Sequence, residues 1–197
     1  KQRRRRWLDL VVSADLVRWE HVSQIGEDGH ELDEADIHFR KDGEAWVVAR
    51  SESPSRLSCF ASSRPPYRKW QVTRLRAMIH APVILAHRGE CYVAGRRSPE
   101  IDGDGGTYPF LGRASLGVWR LARGRVEPLL HIPATGDCSY PGLIRDADGR
   151  ICLSYYSQHA YHMGVVPPPM RLEPTEPYDR GQLLTPNDVY FAELELP

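Results

Sequence analysis

The sequence contains no run of about 18 apolar residues, the length a membrane-crossing helix needs, and no apolar leader-like stretch near its start. It also lacks a charge surplus: 26 Lys and Arg stand against 26 Asp and Glu, so no global field draws it to nucleic acid or an anionic membrane. Any recognition of anions must therefore be local. C-x-x-C spacing is missing, and the four cysteines, Cys59, Cys91, Cys138 and Cys152, sit in apolar, strand-like runs where buried free thiols are expected. No segment sustains a 3.6-residue apolar period, which argues against helices throughout. What remains is 197 residues, 41% hydrophobic, rich in Val, Ile, Tyr, Trp and turn dipeptides: one all-β domain over 1–197.

Three segments superpose without a gap on the glycines Gly43, Gly89 and Gly149: "EADIHFRKDGEAWVVAR", "HAPVILAHRGECYVAGR" and "YPGLIRDADGRICLSYY". Each reads as a β-hairpin. For the first, a two-residue Asp42-Gly43 turn pairs positions summing to about 85, placing Glu34 beside Arg50. Nine residues before the glycine stand Glu34, His80 and Tyr140; seven after it stand Arg50, Arg96 and Tyr156. Tryptophan-centred strand pairs follow the first two hairpins (Trp70, Trp119), and a comparable half unit with Trp19 precedes the first. These tryptophans are expected to pack between blades.

Glycine spacings of 46 and then 60 residues, with about four short strands per unit, form the pattern of a β-propeller. The count is about three and a half four-stranded blades, fewer than the roughly four to eight of a closed ring. An incomplete propeller is expected, the C-terminal part of a larger one that begins in mid-blade. The longer spacing is absorbed by the Gly-rich "PEIDGDGGTYP", whose Asp102 and Asp104 lack the ligand pattern of a calcium loop. A Pro-rich stretch between residues 159 and 188 reads as a long loop over one face. No metal site is expected, because His159 and His162 have no third ligand in view. The Arg3 to Arg6 run reads as a solvated terminus.

In a propeller the innermost strand of each blade lines the axis, so Glu34, His80 and Tyr140 are expected to converge at one rim, with Arg50 and Arg96 on neighbouring strands. Ordinary polar strand caps, or a surface ion pair for Glu34 and Arg50, are the plain alternative. Tyr156 rather than Tyr155 is expected to face the channel, since it shares the register of Arg50 and Arg96.

The chain resembles the C-terminal blades of the sialidase (neuraminidase) superfamily, a six-bladed propeller carrying Asp-box, or BNR, repeats. "SADLVRWEHV" is similar to a degenerate Asp-box with Ser13, Asp15 and Trp19 kept; Asp15 is expected to tie a tight turn. "EADIHFRKDGEAWVVAR" resembles the segment in which a glutamate opens one strand and a triad arginine closes the next, matching Glu34 and Arg50. "DCSYPGLIRDADGRICLSYY" resembles the segment of the nucleophilic tyrosine, here Tyr140, and "FLGRAS" puts Arg113 about where the third triad arginine belongs.

The resemblance implies an exo-α-sialidase-type glycoside hydrolase without a cofactor. Tyr140 would be the nucleophile, Glu34 its base, and Arg50, Arg113, Arg96, His80 and Tyr156 the groups around a sialylated glycan or other acidic sugar. A phenol suits this substrate, since a carboxylate nucleophile about 4 Å from the sugar's own carboxylate would meet a repulsion of roughly 4 kcal/mol at an effective dielectric near 20. The family's first triad arginine and its aspartate acid/base lie in early blades, upstream of this chain, so neither role is assigned and the chain alone is expected to be inactive. Two alternatives stand beside this: a non-catalytic propeller that binds glycan or protein, and a five-bladed glycosidase using Glu34 as general acid, which requires an inner-strand Asp where His80 or Tyr140 stands.

Overall fold

A computed structural model describes residues 6–27, 29–98, 114–162 and 186–197. Antiparallel strands fill it. β1 (Leu8–Val12) pairs with β2 (Glu20–Ile25). β3 (Leu32–Phe39), β4 (Ala45–Ser51), β5 (Cys59–Ser63) and β6 (Gln71–Arg74) follow as one four-stranded sheet in that order. β7 (His80–His87), β8 (Glu90–Arg97), β9 (Ser115–Ala122) and β10 (Arg125–Ile132) form the second. β11 (Ser139–Arg145), β12 (Ile151–Ser157) and β13 (Asp188–Leu194) form the third, with three strands among the described residues. One four-residue helix, α1 (His159–His162), opens the stretch read as loop and is the one departure from strands and turns among the described residues. The rest of that stretch up to residue 185, and the Asp102 and Asp104 segment, lie outside the described residues.

The packing shows why these sheets stack as blades. Side chains alternate along each strand, so a middle strand feeds two cores. In β4, Val47 and Ala49 face the core shared with β1 and β2, while Trp46 and Val48 face the core shared with the second sheet. In β8, Val93 looks back to that same core, while Tyr92 and Ala94 look forward to Leu143, Leu153 and Tyr155 of the third sheet. Among the described residues three apolar cores thus separate four sheets in chain order, and the two middle sheets are covered on both faces by their neighbours. The innermost strands keep that order too: β7 lies between β3 and β11. Between sheets the backbone is also tied, since Asp36 Oδ2 accepts from the Ile84 N–H at 2.7 Å and Ser58 Oγ donates to the Ile79 carbonyl at 2.9 Å.

Two turn lengths coexist. The first and third hairpins are closed by Arg40 N–H to Glu44 O and Asp146 N–H to Arg150 O, each around three residues whose last is Gly43 or Gly149 in the left-handed region (φ 79° and 86°). The Asp42-Gly43 connection is therefore one residue longer than expected. Only the second hairpin, with His87 opposite Glu90, has a two-residue turn. As a result Ile37 and Leu143 pair with Val47 and Leu153, four after their glycines, while Val83 pairs with Ala94, five after its own. The gapless alignment hides a one-residue slip in the middle sheet.

The tryptophans divide. Trp119 is buried between the first and second sheets, and Trp70 packs half-buried while donating from Nε1 to Ser23 Oγ at 2.9 Å. Trp19, expected to pack likewise, is exposed, because among the described residues no sheet covers the outer face of β1 and β2. Beside it Asp15 does tie a turn: Oδ1 accepts from the Val17 and Arg18 N–H groups at 2.9 and 2.8 Å. All four cysteines are free and buried. No helix among the described residues is long and apolar enough to cross a membrane.

Candidate functional site

At the rim opposite the hairpin turns, each inner strand breaks register with its neighbour: between Leu32 and Ala35 in β3, His80 and Val83 in β7, and Ser139 and Gly142 in β11. Such bulges re-aim side chains at strand ends. Tyr140 lies in the third, with φ 45°, a left-handed backbone that costs a non-glycine residue of order 1 kcal/mol. The bulge lifts its ring out of the sheet, where it is 61% exposed, and swings it toward the first sheet.

There the phenol meets Glu34. Tyr140 Oη donates to Glu34 Oε1 at 2.5 Å, and Arg50 Nη1 donates to the other oxygen, Oε2, at 3.1 Å. Arg50 is in turn held by Glu52, whose Oε1 accepts from Nε at 2.5 Å, and Glu52 is also bonded to Arg56. Behind Tyr140, Tyr156 stacks at 6.1 Å between ring centroids and donates to Asp137 Oδ1 at 3.1 Å. Asn187 Nδ2 donates to the second oxygen of Asp137 at 3.3 Å. Tyr155 points the other way, into the core with Leu143 and Leu153.

The electrostatics suit a neutral phenol facing an ionised carboxylate. Burial alone would raise Glu34, but the Tyr140 hydroxyl and the guanidinium of Arg50, with Arg96 nearby, outweigh it and hold the carboxyl below its usual range. The Tyr140 phenol is raised, first by its bond to Glu34 and then by lost solvation. Burial pushes against the charge on Arg50, yet Glu34 and Glu52 keep it raised and firmly cationic. Tyr156 is raised by burial and by the Asp137 charge.

The placement of the remaining candidates differs. Arg96 stands partly buried behind the pair, its charge felt by Glu34, Tyr140 and Tyr156, and its Nε has no hydrogen-bond partner among the described residues. His80, expected on the surface of the site, is fully buried. Its sheet carries the shorter turn, so His80 sits directly opposite Arg96, inside the register rather than in the bulge, and a one-residue slip exchanges the two faces of a strand. Burial, with Arg50 and Arg96 close by, lowers its imidazole to about 3 and keeps it neutral. A ligand on the rim does not reach it. Arg113 lies outside the described residues. Glu52 and Asp137 were missed by sequence reasoning, because they stand outside the superposed segments. Each is two or three residues beyond a candidate already named, a spacing that points at the same rim.

Next to Glu34, a cavity of about 1060 Å³ opens between β1 and β3, with Asp33 and Glu34 on one wall and Trp7, Leu8 and Leu10 on the other. Arg6 at its edge is ion-paired with Asp33.

Solved structures share this architecture. A phage phi92 endosialidase superposes with TM-score 0.65 at 14% identity, over 97% of this chain and 32% of that one. The chain has the fold of a sialidase-type β-propeller. A Trypanosoma rangeli sialidase in complex with sialic acid gives TM-score 0.53 at 10% identity, over 76% of this chain and 24% of that one. A Penicillium chrysogenum α-L-arabinanase complexed with arabinobiose gives 0.57 at 12%, over 77% and 49%. The propeller described here thus spans about a third of the endosialidase and half of the arabinanase. No protein-family profile matches the chain, and no curated protein does.

Proposed function

We propose that the Tyr140, Glu34 and Arg50 cluster is the nucleophile side of a sialidase-type glycosidase site acting on a terminal sialic acid. The observation that carries the reading is the 2.5 Å contact between phenol and carboxylate, with a guanidinium on the opposite carboxylate oxygen. Two proteins of the same fold, an endosialidase and a sialidase in complex with sialic acid, support a sugar as the substrate class.

Each group has a task. Tyr140 Oη attacks the anomeric carbon as the glycosidic C–O bond breaks, and its proton passes to Glu34 Oε1. In the second step water attacks the same carbon and gives its proton to the conjugate base of the acid that had protonated the leaving oxygen, the bond to Tyr140 breaks, and Glu34 returns its proton to the phenolate. Arg50 holds Glu34 ionised and aimed until the proton arrives. It also retains N–H donors beyond those used, enough for one oxygen of the sugar carboxylate. Arg96 and Arg113 are the proposed further guanidinium groups for that carboxylate. The acid that protonates the leaving oxygen has no candidate among the described residues.

The test is release of a fluorophore from an aryl α-sialoside by the full-length protein. Tyr140→Phe and Glu34→Ala are each expected to lower turnover by about 10³-fold or more, as loss of a nucleophile or its base does elsewhere. Full activity in Tyr140→Phe would refute the nucleophile role. Saturable sialoside binding with no turnover by the parent protein would replace the enzyme with a glycan-binding propeller.

A further inference from the structure

The opposite rim carries a second cavity, about 470 Å³, between the β3–β4 and β7–β8 hairpin turns, with Arg145 at the end of β11 closing its third side. Its cationic lining on the β3–β4 hairpin begins six residues along from Glu34, on the order of 20 Å. The Tyr140 site does not use it. Arg40, Lys41, Arg88 and Arg145 line it against the carboxylates of Asp42 and Glu90, a net of +2 on a chain of zero net charge.

The two carboxylates do not cancel this field equally. Asp42 is already occupied from outside the cavity: Arg64 Nη2 donates to its Oδ2 at 3.2 Å, and the Glu44 N–H donates to Oδ1 at 3.1 Å. Arg40 is ion-paired with Asp42, its Nε 3.6 Å from Oδ1, and it interacts with the Cys91 thiol, but that distance is too long for a hydrogen bond and the buried Nε has no hydrogen-bond acceptor among the described residues. Its guanidinium is fixed in place, stacked 4.3 Å from the centre of the Trp46 ring. His87, 9% exposed, forms part of the same wall, and its buried Nδ1 also has no hydrogen-bond partner among the described residues. Buried polar nitrogens without partners are uncommon and call for a partner such as a water, an ion or a ligand atom, and here two of them face one cavity.

We propose that this far-rim cavity binds a tetrahedral oxyanion, the phosphate or sulfate group of a small ligand, between Arg40, Lys41, Arg88 and Arg145 with His87 in the wall. Donors come from three separate hairpins and so approach from three sides, which matches an anion with three or four oxygens better than a flat carboxylate with two. The volume lies within the range of small-molecule sites, leaving room for the group that carries the anion. The placement is independent of whatever the Tyr140 rim does.

Titration calorimetry on the full chain tests it, using inorganic phosphate, inorganic sulfate and glucuronate, each at an ionic strength fixed with chloride. One saturable site is expected for phosphate or sulfate, accompanied by a shift of the His87 ring resonances in NMR. Binding should weaken at least tenfold in Lys41→Glu combined with Arg145→Glu, two exposed positions whose change leaves the cores intact. It should stay within twofold in Arg50→Met, which removes a cation from the other rim. No saturable heat with either anion overturns the proposal, as does glucuronate binding in place of both. So does binding that survives the double reversal or is lost in Arg50→Met.

Discussion

Replacing Arg50 by Met keeps most of the side-chain stem and removes the charge that joins Glu34 to Glu52. Two charge-assisted hydrogen bonds disappear, one of 3.1 Å to Glu34 and one of 2.5 Å to Glu52. In isolation each is worth about 1.5–3 kcal/mol. Neither carboxylate is orphaned, however, because Glu34 keeps the Tyr140 hydroxyl and Glu52 keeps Arg56. The three side chains also retain 21%, 26% and 16% of their exposure, so water screens part of the loss. The expected cost is therefore about 2 kcal/mol, below the roughly 3–5 kcal/mol of a broken buried pair. For a domain of this size that lowers Tm by about 4–8 °C in calorimetry. A double-mutant cycle with Glu34→Gln should recover a coupling of about 1 kcal/mol. A Tm unchanged within error, or a coupling near zero, would mean that Arg50 does not organise this rim, and the aiming of Glu34 would need another cause.

Acid should weaken the fold partly through Glu34. Its folded pKa is depressed, so its contribution is present above the unfolded carboxylate value near 4.3 and is lost as pH falls through the lower folded one. Urea midpoints from pH 6 to 3 should fall less steeply in Glu34→Gln, and identical slopes would contradict this. Gly95→Ala should destabilise by about 1–3 kcal/mol, since a Cβ there meets Ile79 Cγ2 at 2.5 Å and the His80 carbonyl at 3.0 Å. Gly149→Ala, with open space but φ +86°, should cost about 1 kcal/mol for backbone reasons alone, and equal Tm losses in the two variants would show that the Gly95 contact yields. Thiol reagents should label the four cysteines only on unfolding, Cys138 included, whose thiol burial pushes up to about 12. Fast stoichiometric labelling in native buffer would count against the packing.

Much of the fold was legible because turn glycines and period-two alternation repeat. Ile37, Val83 and Leu143 could be superposed by eye, and the blades follow from that. Two things were not. The hairpin turns differ by one residue, and a gapless alignment conceals it, which is why His80 was placed on the rim when it is buried. The bulges left no composition signal either, since the left-handed residues there, Ala81 and Tyr140, are not glycines. The convergence of Glu34 and Tyr140, 106 positions apart in the chain, was readable from their shared register nine residues before the turn glycines, while their pairing as nucleophile and base came only through family likeness. Glu52 and Asp137 needed coordinates, because a carboxylate just past a strand looks the same whether it clamps an arginine or faces water.

That 106-residue separation has a mechanical side. Glu34 belongs to the first four-stranded sheet and Tyr140 to the third, with β7 of the second lying between their inner strands. The contact therefore works as a strap across two apolar seams, its length set by the angles at which three wedges meet. A methyl group removed from either seam, far from any sugar, would let the wedges settle differently and be felt first as slack between an oxygen and its proton.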